Sequence, residues 1–126
     1  MPNWQPNWNN VCWDWHAAKA ASHALRNMAN RLEILTQERL AVAREAQREW
    51  RGRYREEFDQ KLQILLKDSA NLAARMRDAA ARIDQASARA WEEQKNRERE
   101  RERWYREKEE EERRRREEEE RRRHGR

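Results

Sequence analysis

The chain has 126 residues, enough for one domain, and 44% of them are charged against 36% hydrophobic. That balance excludes a large apolar core, and a total of 2 glycines and 2 prolines excludes a turn-rich β fold. The 30 basic and 25 acidic side chains leave a formal net charge of +5 and a sequence pI near 9.9, but the two signs are interleaved, so the field at a distance is weaker than the pI suggests.

Ala, Glu, Arg, Gln and Leu dominate and are good helix formers, so the expectation is an all-α fold. Residues 1–13 read as an irregular tail rich in Trp and Asn that holds both prolines, Pro2 and Pro6. Its first ten residues have no charged n-region and no apolar h-region, so no cleaved signal peptide is expected. Asp14 is placed to N-cap a first helix over about 14–49, its carboxylate accepting from the open amides of the first turn. An apolar stripe follows at 3-4 spacing: Ala18, Ala21, Leu25, Met28, Leu32, Leu35, Val42 and Ala46, interrupted by Arg39. Trp50-Arg51-Gly52 then brings the one glycine before the penultimate residue, and residues 50–53 are expected to turn the chain.

The second helix is expected from about 54. Its stripe is Phe58, Leu62, Leu65, Ser69, Leu72, Met76, Ala79, Ile83, Ala86 and Ala90, a coiled-coil-like 4-3 alternation. After Trp91 the stripe ends, since the next positions are Glu93, Arg97 and Glu100. A first helix of about 36 residues is roughly 54 Å long, and an antiparallel partner starting near residue 53 matches it until about residue 90. Residues 14–93 therefore form a helical hairpin, and residues 94–126 a charged Arg/Glu helical extension. There, Glu-to-Arg pairs at i,i+4 are each worth roughly 0.2–0.5 kcal/mol. Trp13, Trp15 and Trp91 are expected to close the open end of the hairpin. Trp4 and Trp8 fall near the upper nineties if the tail folds back, and with Trp104 they are either closing residues or exposed anchors.

The hairpin core is thin. Leu25, Met28, Leu32, Leu35, Val42, Phe58, Leu62, Leu65, Leu72, Met76 and Ile83 are the candidate dimer or hairpin core, with Ile34, Leu40, Ile64 and Leu66 beside the seams and wet in a monomer. Dimerisation into a four-helix bundle would cover some of them.

Two helices of similar length joined at Trp-x-Gly, with Phe58 and Leu62 opening the second and Val11-Cys12-Trp13-Asp14 ahead of an Ala-rich first helix carrying Leu32-Glu33, resemble the WXG100 family of ESX (type VII) secretion proteins. The resemblance covers about residues 11–91. It implies a dimer with itself or with a WXG100-like paralogue. It also implies synthesis in the cytoplasm and secretion without a cleaved signal peptide, through an FtsK/SpoIIIE-like ATPase. Trp50 and Gly52 would be the recognition turn, and Tyr105 with Glu109 would stand for the family's Tyr-x-x-x-Asp/Glu export element.

No catalytic constellation is present and no cofactor is implied, so the chain is not read as an enzyme. Cys12 and His16 share a helix face by spacing but lack two further zinc ligands, and His23 is seven residues from His16. No apolar run reaches the roughly 18–20 residues of a membrane span. Two other functions compete with secretion: a scaffold bundle with a charged single-helix spacer, and a basic nucleic-acid-binding protein. The second is disfavoured because a Glu block precedes each Arg block.

Overall fold

The computed structural model describes residues 2–125. The outermost residues of the expected tail and extension, Met1 and Arg126, lie outside the described residues. Two helices carry the fold: α1, Trp15–Gln47, and α2, Arg53–His124, of 33 and 72 residues. The chain divides into two compact units, Asp14–Ser87 and Met1–Trp13 with Ala88–Arg126.

In the unit Asp14–Ser87, α1 and the first half of α2 pack as an antiparallel hairpin. Asp14 is extended and caps α1, its Oδ1 accepting from the Ala17 amide at 3.0 Å. Polar ties mark the register from the turn to the open end. The Gln47 amide donates to Asp59, and the Thr36 and Ser69 hydroxyls share a hydrogen bond of 2.6 Å. Further along, Arg77 donates to Glu33 and Asn30, Arg26 to Asp84 at 2.6 Å, and the Trp15 indole to the Ser87 carbonyl at 3.0 Å.

The inward positions of α1 are Trp15, Ala18, Ser22, Leu25, Ala29, Leu32, Thr36, Leu40, Ala43 and Gln47. This line shares Ala18, Leu25 and Leu32 with the stripe read from sequence, and elsewhere is turned by one residue. Ala29 takes the place of Met28, Thr36 of Leu35 and Ala43 of Val42. On α2 the inward line includes Phe58, Leu62, Leu66, Ser69, Ala73, Met76, Ala80 and Ile83, so Leu66 replaces Leu65 and Ala73 replaces Leu72. Met28, Leu35, Val42, Leu65 and Leu72 thus lie outside the hairpin's own seam, and Val42 stands 72% exposed. Leu40 is corrected to buried, at 8%, and Leu66 is half-buried rather than wet.

The physical reason is volume. Counting from the Thr36–Ser69 pair places Leu32 level with Ala73, Ala29 with Met76, Leu25 with Ala80 and Ser22 with Ile83. Each layer sets one large side chain against one small one, the arrangement that fills a seam between helices without voids. Ala29, Ala73, Ala80 and Ser22 are at most 1% exposed. Larger apolar side chains in both members of a layer would force the helices apart, so the flanking leucines point outward. The step from Thr36 to Leu40 is four residues rather than three, which carries the seam past Arg39.

Two predictions follow from the seam and its ties. Ala80→Leu, which puts two leucines in the layer with Leu25, lowers unfolding free energy by about 1–3 kcal/mol in urea denaturation. Adding Leu25→Ala recovers part of that loss, because the volume of the layer is restored. The Arg77 guanidinium holds the Glu33 carboxyl below its ordinary 4.5, and Arg26, then Ser22, hold Asp84 below 3.8. Groups with depressed folded-state values contribute stability above those ordinary values and lose it as pH falls through the folded ones. Tm therefore drops as pH is lowered from about 4.5, the ordinary Glu33 value. The Arg26→Ala, Arg77→Ala double variant shows a shallower drop.

Candidate functional site

The elbow is built by a short stretch of backbone. After α1, Arg48 closes on Glu45 and the Trp50 amide reaches the Gln47 carbonyl at 3.3 Å. Gly52 has φ of 88°, the only positive φ among the described residues, and its carbonyl accepts from Glu56 to start α2. Arg55 donates to the Trp50 carbonyl at 3.3 Å. The Trp50 ring meets Phe58 edge-on, centroids 5.1 Å apart, yet remains 45% exposed. Phe58, half-buried, is thus the floor on which Trp50 is displayed.

A Cβ added at Gly52 meets no atom within 4 Å, so a substitution there is opposed by the backbone alone. Gly52→Ala is expected to cost about 1–2 kcal/mol in urea denaturation, and Gly52→Asn less, because Asn tolerates positive φ better. Far-UV circular dichroism should show both variants still helical.

Away from the elbow, seam residues and outward apolar side chains together make two apolar grooves on the hairpin. One, of about 330 Å³, is walled by Leu32, Leu35, Leu62, Leu65 and Leu72; the other, of about 790 Å³, by Ile34, Leu40, Leu66 and Ala70 with polar neighbours. Of the sequence-predicted core, Leu25, Leu32, Phe58, Leu62, Met76 and Ile83 line the seam half-buried, whereas Met28, Leu35, Val42, Leu65 and Leu72 are surface.

The unit Met1–Trp13 with Ala88–Arg126 holds an assembly that the sequence reading left undecided. Among its described residues the tail carries no helix or strand, and it lies antiparallel along α2. The Val11 amide donates to Gln94 Oε1 at 2.8 Å, and Gln94 Nε2 donates to Asn10. Arg97 donates to the Asn9 carbonyl, and Arg101 to the carbonyls of Asn7 and Asn9 and to the Asn10 side chain, all at 2.8–3.1 Å. The Trp104 indole donates to the Trp4 carbonyl at 2.9 Å, and the Trp4 indole to Glu107 at 2.6 Å. Trp104 is 6% exposed, and Pro2 and Pro6 are buried. Trp8 packs edge-on against Trp104 and Tyr105 at 5.3 and 5.7 Å, and Arg103 lies over the Trp4 ring at 4.4 Å.

Trp4 and Trp8 therefore sit beside residues 103–107, beyond the upper nineties expected from sequence. Seven residue steps of tail, from 4 to 11, run along thirteen steps of helix, from 107 to 94, or about 20 Å at ~1.5 Å per step. That is about 2.8 Å per tail residue, close to an extended chain.

Two signals in the sequence point to this strap. Pro2-Asn3-Trp4-Gln5 and Pro6-Asn7-Trp8-Asn9 are tandem four-residue repeats. In the phase the structure gives, the inward line of α2 also continues at 4-3 spacing through Ser87, Ala90, Gln94, Arg97, Arg101 and Trp104, with donors replacing methyl groups. Trp91 remains exposed, with Lys95 5.5 Å from its ring, and Trp15 is tied to Ser87, while an aromatic cluster forms at Trp8, Trp104 and Tyr105. Of the candidate export pair, Tyr105 is 52% exposed with one ring edge against Trp8, and Glu109 is exposed. The structure leaves Trp50 and Gly52 at the elbow of the hairpin unit and Tyr105 and Glu109 in the strap unit.

Cys12 and His16 are both exposed, and no group of three or more His, Cys, Asp or Glu among the described residues is arranged to hold a metal ion. No helix among the described residues is long and apolar enough to cross a membrane. In comparisons with known proteins, the chain matches no family model, no curated protein and no solved structure.

Proposed function

We propose that this chain is a WXG100-like substrate or adaptor of a type VII (ESX-like) secretion system, working as a helical dimer that a motor ATPase recognises. The observation that carries the reading is the elbow. A tryptophan stands half-exposed on Phe58, two residues from a glycine at positive φ, at the closed end of an antiparallel helical hairpin. A large indole kept accessible at a turn is a surface for contact, since burial would otherwise be the favourable state for its area.

Dimerisation rests on the outward leucines. The Leu35 and Leu65 side of the hairpin is an apolar groove flanked by charge, and a second hairpin, from the same chain or a paralogue, would cover it in a four-helix bundle. Sedimentation at tens of micromolar is expected to give a dimer, alone or on mixing with a paralogue. Leu35→Asp with Leu65→Asp gives a folded monomer. A monomer under every condition for the unaltered chain overturns the dimer.

Export is tested in cells that carry an ESX-like system. The unaltered chain should reach the medium at full length, and Trp50→Ala should remain inside while keeping its helical circular dichroism. Export of Trp50→Ala at the normal level removes the elbow from recognition, and retention of the unaltered chain removes the secretion reading.

One feature favours the scaffold reading. α2 runs on to His124 through a segment held by ion pairs such as Glu110–Arg114 and Glu112–Arg116, each 3.8 Å, as a stiff spacer would. The same pairing neutralises the arginines that a phosphate backbone would need, which disfavours nucleic acid.

A further inference from the structure

The contacts of the strap are apart from the Trp50 elbow and the leucine grooves of the hairpin unit. Its hydrogen bonds have a direction. Arg97, Arg101 and the Trp104 indole carry only donors, and each donates to a main-chain carbonyl of Asn9, Asn7 or Trp4, while Arg101 also reaches the Asn10 side chain and Arg97 also pairs with Glu93. An extended segment containing prolines suits such a surface. Extended backbone makes no internal ladder of hydrogen bonds, so carbonyls such as those of Trp4, Asn7 and Asn9 are open to the helix, and each proline removes an N–H that the donors could not satisfy. Pro2 and Pro6 are both buried, and the four-residue period that separates them also separates Trp4 from Trp8. Trp4 is clamped from two sides, its N–H by Glu107 and its ring by Arg103. The helix thus reads a backbone with Gln94, Arg97, Arg101 and Trp104, the Trp4 side chain with Arg103 and Glu107, and the Trp8 ring with Trp104 and Tyr105.

We infer that residues 94–107 of α2 form a binding site for an extended Pro-Asn-Trp peptide, and that the tail of a second copy of this chain is its ligand in trans. The partner follows from the contacts, because every copy presents both the ligand that fits and the site that holds it. Exchange of such an element between identical chains forms no new kind of contact. Within one copy the tail is covalently tethered and competes at an effective concentration of about millimolar, so the site is filled in cis until that tail is released. The inference is independent of the export reading, since it concerns only the tail and α2.

The test uses a synthetic peptide of residues 2–13 labelled on the Cys12 thiol, with binding to full-length chains followed by fluorescence anisotropy. The unaltered chain, its site occupied, is expected to bind weakly. A chain with Trp4→Ala and Trp8→Ala, whose own tail is loosened, binds about tenfold tighter or better. Adding Arg97→Ala and Arg101→Ala removes about tenfold or more, the worth of charged donors to carbonyls. If the last chain loses helical circular dichroism, Arg97→Gln with Arg101→Gln replaces it and must show the same loss.

A peptide that binds all three chains alike, or fails to bind the loosened one, overturns the site. For the second copy, a full-length Arg97→Ala, Arg101→Ala chain labelled at Cys12 offers a free tail. It should associate more tightly with the loosened chain than with a loosened chain that also lacks Arg97 and Arg101. Equal association overturns exchange between copies, and any dimer made through the leucine grooves is common to both arms.

Discussion

The small side chains along the α1–α2 seam are the constraint on which the hairpin depends. Ala29, Ala73, Ala80 and Ser22 are almost completely buried, and the larger residues of the seam are set level with them. A buried alanine contributes little of its own, roughly 0.8 kcal/mol for its methyl group. Its effect is geometric: it admits the side chain opposite and leaves no room beside it. Met28, Leu35, Val42, Leu65 and Leu72 are consequently displaced to the flanks, where Leu35, Leu65 and Leu72 wall one of the grooves. The exposed apolar surface is therefore a product of the packing that makes the hairpin. Any partner of the hairpin inherits a surface whose spacing was set by the seam.

Polar ties then fix the register that the alanines permit. A row of methyl groups would tolerate a slip of the helices by one layer at modest cost, because one alanine resembles another. The Thr36–Ser69 hydroxyl pair, the Trp15 indole on the Ser87 carbonyl and the ion pairs of Arg26 and Arg77 would each be broken by that slip. The ion pairs are exposed and contribute little to stability individually. Their contribution is to distinguish one alignment from its neighbours.

The helices, the cap at Asp14 and the turn at Gly52 were legible in the sequence because each rests on local chemistry: propensity, a capping carboxylate, a residue free to take positive φ. The phase of the seam was not. Hydrophobic periodicity selects the largest apolar residue near each position, so it chose Leu35 over Thr36 and Leu72 over Ala73. Close packing made the opposite choice. The strap was hidden by a related bias. Arg97 and Arg101 read as solvated charge because the partner that makes them inward-facing lies some ninety residues away and offers carbonyls. Trp50 was legible as a residue at a turn. That Phe58 supports it while leaving it exposed follows only from the geometry of the first turn of α2.

The charged end of α2 draws on the strap as well. From residue 108 onward the helix has ion pairs at i,i+4 and no apolar stripe, and such pairs are worth roughly 0.2–0.5 kcal/mol each. An isolated peptide of that length would face the nucleation cost that makes short helices marginal in water. Here the turns at 94–107 are already fixed by the tail, so the segment to His124 only propagates an existing helix. Propagation adds one hydrogen bond per residue ordered, and for Arg- and Glu-rich sequence it is close to neutral before the ion pairs are added. Small pairwise gains are then sufficient to keep the helix going. A tail at the N-terminus and a charged rod at the C-terminus are in this way coupled: ordering the first lowers the cost of ordering the second.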